Sequence, residues 1–228
     1  MHSEELSYPS FDFEKEIERA KWFKDDLEKG GWREAYKGPV SQYWIKTFPD
    51  EEVPIKILFT FDMPMPAKVF SEMISPSVIE DRNKWETGII YTKLEEYPNG
   101  NKAVFARMLS SWPISDRGFV VLFSPMKEID WYGKKAFLCL LKNFTHPSKP
   151  EGGDGLIRAY NGGNFFVATP DDNYPEKTCK VFSLTNNLYK GWLPDSECLM
   201  ARLIPPAFNK IQEDMIKGYE KTQAKEEN

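Results

Sequence analysis

Two histidines and three cysteines set narrow limits on the chemistry this chain can perform. Nucleophilic catalysis through serine or cysteine needs an imidazole to take the proton. His146 is the candidate, and it lies in the connection His146-Pro147-Ser148-Lys149-Pro150, where an ordinary loop histidine is the simpler reading. Cys139, Cys179 and Cys198 are too far apart to share a zinc ion, so no metal or cofactor is expected. The acidic side chains run along solvated faces such as Asp25-Asp26 and Glu95-Glu96, without a recognisable acid/base pair. Gly152-Gly153-Asp154-Gly155 and Gly162-Gly163 do not join a strand to a helix start, so they read as turns rather than a phosphate cradle. What remains is local. Asp81-Arg82-Asn83-Lys84-Trp85-Glu86 follows a short helix and leads into a strand, and Arg107 and Arg117 lie within or beside apolar strands. Such an arginine either forms a structural ion pair or anchors a buried anion. The residue types point to binding rather than catalysis.

The elements that must position these cations follow from hydrophobic spacing. Phe13, Ile17, Ala20, Phe23 and Leu27 fall on one helical face over residues 11–29, with Ser10 available as a cap and Gly30-Gly31 as the stop. Residues 32–46 read as two short strands broken at Gly38-Pro39. Ile55, Ile57, Phe59 and Phe61 alternate as a half-buried strand. Pro66 opens a short helix that stops near Ser75-Pro76. Residues 86–186 carry strand patterns at 89–94, 103–109, 119–123, 136–141, 156–168 and 179–184, separated by turn residues. The connection from Phe123 to Lys135 reads as a loop. Beyond Pro194, Leu199, Leu203, Ala207, Ile211 and Met215 repeat every four residues, with Met200, Ile204 and Phe208 beside them. Pro205-Pro206 is expected to bend or interrupt that helix, and a charged tail starts at Lys221. The layout predicts an α+β fold, a strongly bent sheet with helices packed to one side.

At 228 residues, 41% hydrophobic and 14% aromatic, the chain can bury a large core or the walls of a large cavity without a staple. It reads as one domain, with a core over about residues 11–220. No window is apolar enough for a transmembrane helix, and the acidic start Met1-His2-Ser3-Glu4-Glu5 is not a signal peptide. Scattered cysteines suit a reducing, cytoplasmic setting. A net charge of −5 argues against a nucleic-acid partner.

Four motifs in register resemble the START family, the StAR-related lipid-transfer domain, and most of all its phospholipid-transfer branch. They are Arg82-Asn83-Lys84-Trp85-Glu86; Trp112-Pro113 with Arg117-Gly118-Phe119; His146-Pro147 followed by Gly155-Leu156-Ile157-Arg158; and Trp192-Leu193-Pro194. The resemblance implies a helix-grip fold, a curved antiparallel sheet of about nine strands around a long C-terminal helix enclosing a hydrophobic tunnel. It implies a monomeric, non-enzymatic carrier whose only ligand is one bound lipid, a phospholipid or alternatively a sterol or carotenoid. A ligand-sensing module that does not deliver cargo is the alternative from another class. By the same resemblance Arg82 and Asn164 would meet a lipid phosphate. Ala106, Phe119 and Gly162 fall where a phosphatidylcholine carrier places an aromatic cage, and only Phe119 is aromatic. Arg107 and Arg117 complete the candidate ligand set. Met200, Leu203, Ile204, Ala207, Phe208 and Ile211 would line the cavity or its lid. Met126, Trp131, Tyr132, Lys134 and Lys135 are offered for transient, peripheral contact with a membrane.

Overall fold

The computed structural model describes residues 8–110, 114–191 and 196–226; Trp112-Pro113 and Trp192-Leu193-Pro194 lie outside them. Helix α1 (Phe13–Lys29) is capped by Asp12, whose carboxylate accepts from the Lys15 amide, rather than by Ser10. Strands β1 (Arg33–Lys37), β2 (Ser41–Thr47) and β3 (Ile55–Met63) follow, then α2 (Ala67–Ile74) behind Pro66 and a 3-10 helix (Ile79–Lys84). The next strands are β4 (Ile89–Glu96), β5 (Lys102–Met108), β6 (Arg117–Phe123), β7 (Lys127–Trp131) and β8 (Lys134–Asn143). Two-residue strands β9 (Ile157–Arg158) and β10 (Tyr160–Asn161) precede β11 (Asn164–Pro170), β12 (Cys179–Thr185) and β13 (Asn187–Leu188). Helix α3 (Glu197–Glu226) ends the described chain.

Nine strands form one antiparallel path, β1-β2-β3-β12-β11-β8-β6-β5-β4. The connection read as a loop after Phe123 is in fact a strand. β7 pairs with β8 on the same edge that β6 occupies further along, and Ser124 bridges the two by exchanging bonds with Leu140. Ile129 and Trp131 alternate with Glu128 and Asp130, a period-two signal that the flanking Pro125 and Gly133 disguise.

The two faces of this sheet are both buried. Side chains of Leu58, Leu138, Leu140, Phe165, Val167, Phe182 and Leu184 point outward to α1, whose Ala20 and Phe23 seal them. Tyr43, Ile57, Phe59, Phe61, Val104, Ala106, Phe119, Val121 and Cys139 point inward to α2 and α3. Burial on both sides explains Lys56, which half-burial would place in water. Its side chain is 1% exposed, and its ammonium meets Glu51 at 2.7 Å and the Val53 carbonyl. The outer edge of β4 is closed by side chains of the 3-10 helix. Asn83 donates to the Tyr91 carbonyl and accepts from its amide, both at 2.8 Å. A pairing edge is thereby covered.

Helix α3 runs unbroken through Pro205 and Pro206, expected to bend or interrupt it, and on to Glu226. The prolines remove the donors that the Ala201 and Arg202 carbonyls would otherwise use, yet the helix continues. Its inward stripe is Met200, Ile204, Phe208, Gln212, Met215, Ile216 and Tyr219, not the one centred on Ala207. Ala207 is exposed, Leu203 packs at the margin and Ile211 is half-buried.

Candidate functional site

The register lines the inner face with cross-strand rows, and one of them joins the two features that matter. Cys139, Phe166, Ser183, Phe59 and Tyr43 are successive partners across β8, β11, β12, β3 and β2. At one end of that row Phe208 of α3 stacks on Phe59 with ring centroids 4.2 Å apart, and Tyr43 bonds its hydroxyl to Asn209. At the other end, Cys139 lies near Arg82, which lowers the thiol's pKa; burial outweighs it and pushes the pKa up to about 12, so the thiol stays protonated.

Arg82 is buried beneath the 3-10 helix in a neutralised cluster. Its Nε and Nη2 donate to Glu86 Oε2 at 3.0 and 2.7 Å, and its Nη1 donates to the Ile74 carbonyl at 2.8 Å. The Glu86 side chain has no solvent exposure. Tyr91 donates its hydroxyl to Glu86, 3.1 Å from each oxygen. The guanidinium also lies over the rings of Tyr91, Trp85 and Phe123, at 4.4, 5.5 and 5.9 Å. Burial alone would pull the Arg82 pKa down, but Glu86 and Tyr91 outweigh it and raise the value, so the cation persists. Burial likewise drives the Tyr91 phenol well above its usual value, keeping it a donor. A guanidinium carries five N–H groups. Three are used in these bonds, and the Tyr91 hydroxyl is a further partner of the guanidinium.

Asn164 lies on the same inner face but does not join Arg82. Its row runs through Leu141 to Phe123, two strand spacings or roughly 10 Å away. Its carbonyl oxygen accepts from the Asn186 amide at 2.8 Å, and its Nδ2 donates to Asn187 at 3.3 Å. Gly162 is enclosed there too: a Cβ would come within 2.6 Å of Asn186 Nδ2. These two positions brace the turn into β11. Ala106 stands between Tyr91 and Phe119 in the ladder, a methyl group between two rings.

Arg107 points the other way. It is half-exposed and pairs with Asp116 at 2.8 Å, so it does not line the inner face. Arg117 is fully buried, with no carboxylate on its guanidinium among the described residues. It donates to the carbonyls of Tyr189 at 3.0 Å, Lys190 at 3.3 Å and Ser115. It therefore clamps the segment that leads toward α3, in which Lys190 and Gly191 both have positive φ.

Helix α3 is also held at points beyond its apolar stripe. Asp214 accepts from the Thr87 amide at 3.1 Å and hydroxyl at 2.5 Å and pairs with Lys210. Gly218 sits against Trp85, where a Cβ would meet the Trp85 Cβ at 2.6 Å. Between these contacts Gln212 is buried, and its Nε2 has no acceptor among the described residues. Tyr91, Asn209 and Gln212 went unread in the sequence, and Glu86 was named only as part of its motif. The Arg82–Glu86 spacing of four was the one available signal.

The corner offered to a membrane is part of the outer layer. Trp131 is 7% exposed and packs near Phe182, because β7 turns it toward the face that α1 covers. Met126 packs against the inner core. Tyr132 is half-exposed with its hydroxyl on Asp25, and Lys134 and Lys135 pair with Asp172 and Glu128. Among the described residues no group of His, Cys, Asp or Glu could hold a metal ion, and no helix is long and apolar enough to cross a membrane.

Residues 13–211 match the START domain family. Among curated proteins none matches the chain significantly in sequence. Solved structures share its fold. Human STARD10 is 19% identical with a TM-score of 0.72, covering 97% of this chain and 86% of its own. Human StAR-related lipid transfer protein 5 is 13% identical with a TM-score of 0.72, covering 92% and 97%. The human StarD13 lipid transfer and protein localization domain is 15% identical with a TM-score of 0.64, covering 91% and 98%.

Proposed function

The chain belongs to the START domain family, and from that premise we propose that it is a lipid carrier, enclosing one phospholipid between the inner face of the sheet and α3. START domains bind lipids; the phospholipid class follows the resemblance of the Arg82 motif to the phospholipid-transfer branch. It rests on Arg82, a persistent cation buried in an apolar face. A phosphate buried with acyl chains needs such a partner, because an unpaired buried charge is costly. The chains themselves favour the complex by about 0.8 kcal/mol per CH₂ removed from water. Gln212, a donor without acceptor on the inner stripe of α3, suits an ester oxygen of the same molecule. Exchange with a membrane surface then requires α3 to lift from its contacts at Tyr43, Thr87 and Trp85.

A sterol or isoprenoid alcohol is the competing occupant, since the neutral Arg82–Glu86 pair also suits a single hydroxyl. Native mass spectrometry of the protein purified from its source separates the two. A phospholipid mass is the expected result, and a sterol or carotenoid mass overturns it.

A further inference from the structure

We propose that a second cavity, beneath the arch of residues 146–151, binds a small soluble phosphomonoester, apart from any lipid. Strand β6 is the starting point. Its neighbour β8 ends at Asn143, with one further bond from the Phe144 amide to the Val120 carbonyl. Strand β9 then pairs with β6 at Arg117 and Gly118. Between these two partners the chain arches away and returns, through His146-Pro147 and Gly155-Leu156-Ile157-Arg158, which the lipid reading leaves unused. The cavity under the arch has a volume of about 450 Å³, within the range of small-molecule sites. Asn143, His146, Lys149, Glu151, Arg158 and Lys190 contribute to its walls, and it shares no wall residue with the Arg82 cluster.

Charge selects the occupant. In a chain of net charge −5, these walls carry Lys149, Arg158 and Lys190 against a single carboxylate, Glu151. Glu151 meets Lys190 at 3.5 Å, and from outside the walls Asp154 meets Arg158 at 3.2 Å. His146 Nε2 faces Glu95 at 3.3 Å, and the Tyr160 hydroxyl is bonded to Glu52. Lys149 has no carboxylate among the described residues. Its ammonium lies over the Phe105 ring, 4.3 Å from the centroid, and the Arg158 guanidinium lies 5.6 Å from the same centroid. An aromatic face attracts a cation without neutralising it.

Coordination at Arg158 is incomplete as well. Its side chain is 10% exposed, so water does little to screen it. Its Nη1 donates to the Lys149 carbonyl at 3.2 Å, and its Nη2 to the Pro150 carbonyl at 3.3 Å and Asp154 at 3.2 Å. All three bonds are at the long end of the usual range. Its Nε has no acceptor among the described residues. A phosphate between Lys149 and this guanidinium supplies shorter, charge-assisted bonds. A phosphomonoester also carries about −1.5 to −2 at pH 7, which suits three wall cations set against one wall carboxylate. A carboxylate ligand brings half that charge.

The test titrates the purified full chain with inorganic phosphate at constant ionic strength, read by phosphorus NMR. Saturable binding with a Kd on the order of 1 mM is expected, since the probe offers the shared group alone. Lys149→Gln removes an ammonium that makes no hydrogen bond among the described residues, so the fold should survive. It should weaken binding by about tenfold or more, the worth of one charge-assisted bond. Lys134→Gln, at the exposed β7–β8 corner, should leave the affinity unchanged. Absence of saturable binding overturns the proposal. So does a Lys149→Gln variant that binds as the unaltered chain does, or a Lys134→Gln variant that loses as much. Vesicles of phosphatidylcholine with phosphatidic acid offer the same group from a membrane. Sedimentation with them that depends on Lys149, without binding of free phosphate, assigns the cavity to a lipid surface and overturns the proposal too.

Discussion

On the outside of the sheet, Phe23 of α1 meets Trp22, Trp32, Phe48 and Phe165 at centroid distances of 4.9 to 6.2 Å, and the charged groups there, apart from the buried and paired Lys56, stay at the rim. Arg19 reaches the Gly163 carbonyl and Lys46 pairs with Asp26 from partly exposed positions. On the inside, the same strands bury Arg82, Glu86 and Asn164, and α3 presses Gln212 onto them. Two layers of one sheet thus solve different problems. The outer layer is apolar packing that needs nothing further. The inner layer holds charge and spare donors that an ordinary core would replace with hydrocarbon, which is the cost a binding face carries for having something to recognise.

The sharpest way to break this contrast is to damage each layer separately. Phe23→Ala should cost about 3–5 kcal/mol of stability in urea unfolding, as large core truncations do, while the folded fraction still loads lipid normally. Glu86→Ala should cost a similar ~3–5 kcal/mol because it strands a buried cation. Removing both charges as Arg82→Met with Glu86→Leu should restore stability to the unaltered level, or exceed it by about 1–4 kcal/mol, yet abolish phospholipid loading. A double variant that loads normally would make the pair structural and erase the distinction between the faces.

A smaller effect is expected where α3 meets the 3-10 helix. Replacing an exposed helix-interior glycine with alanine normally stabilises by about 1 kcal/mol. At Gly218 the sign should reverse, because the new methyl would lie 2.6 Å from the Trp85 Cβ, a stem atom that cannot swing aside. Gly218→Ala should lower the melting temperature and speed lipid exchange together, read by a dequenching assay. A higher melting temperature would show that α3 does not rest on Trp85.

Acid should loosen the same helix. Burial raises the Asp214 pKa, but Lys210 and the two bonds from Thr87 outweigh it and hold the carboxyl below its usual 3.8. A lowered folded pKa contributes stability that is fully present above about pH 4 and lost as pH falls through the folded value. Unfolding measured across pH 2 to 5 (~1 unit either side of the usual aspartate range) should steepen in that window for the unaltered chain. Asp214→Asn should flatten it.

Much of this contrast was legible in the residues, and what was missed has a common cause. The helical face of α1 and the alternation of β3 follow from local spacing, since each needs only a period and a stop signal. Arg82 was marked by its motif's resemblance to the START family. Spacing could not say that Asn209 reaches Tyr43 across 166 positions or that Thr87 meets Asp214 across 127, because such contacts are set by how sheet and helix close. Gln212 was passed over for a related reason. Periodicity counts apolar residues, so a buried amide on the stripe of Met200, Ile204 and Phe208 interrupts the pattern that would have revealed it.

The smallest expected effect concerns the corner where sequence and structure part most clearly. Lysines beside Trp131 and Tyr132 look like a membrane foot, but Trp131 packs into the outer layer and both lysines have carboxylate partners. Exposed pairs of this kind contribute about 0–1 kcal/mol. Lys134→Glu with Lys135→Glu should therefore shift stability by less than ~1 kcal/mol and leave transfer to anionic and neutral vesicles alike. Selective slowing with anionic vesicles would assign this corner to the membrane after all. The outer layer would then share in function, and the division between a packing face and a binding face would have to be redrawn around β7.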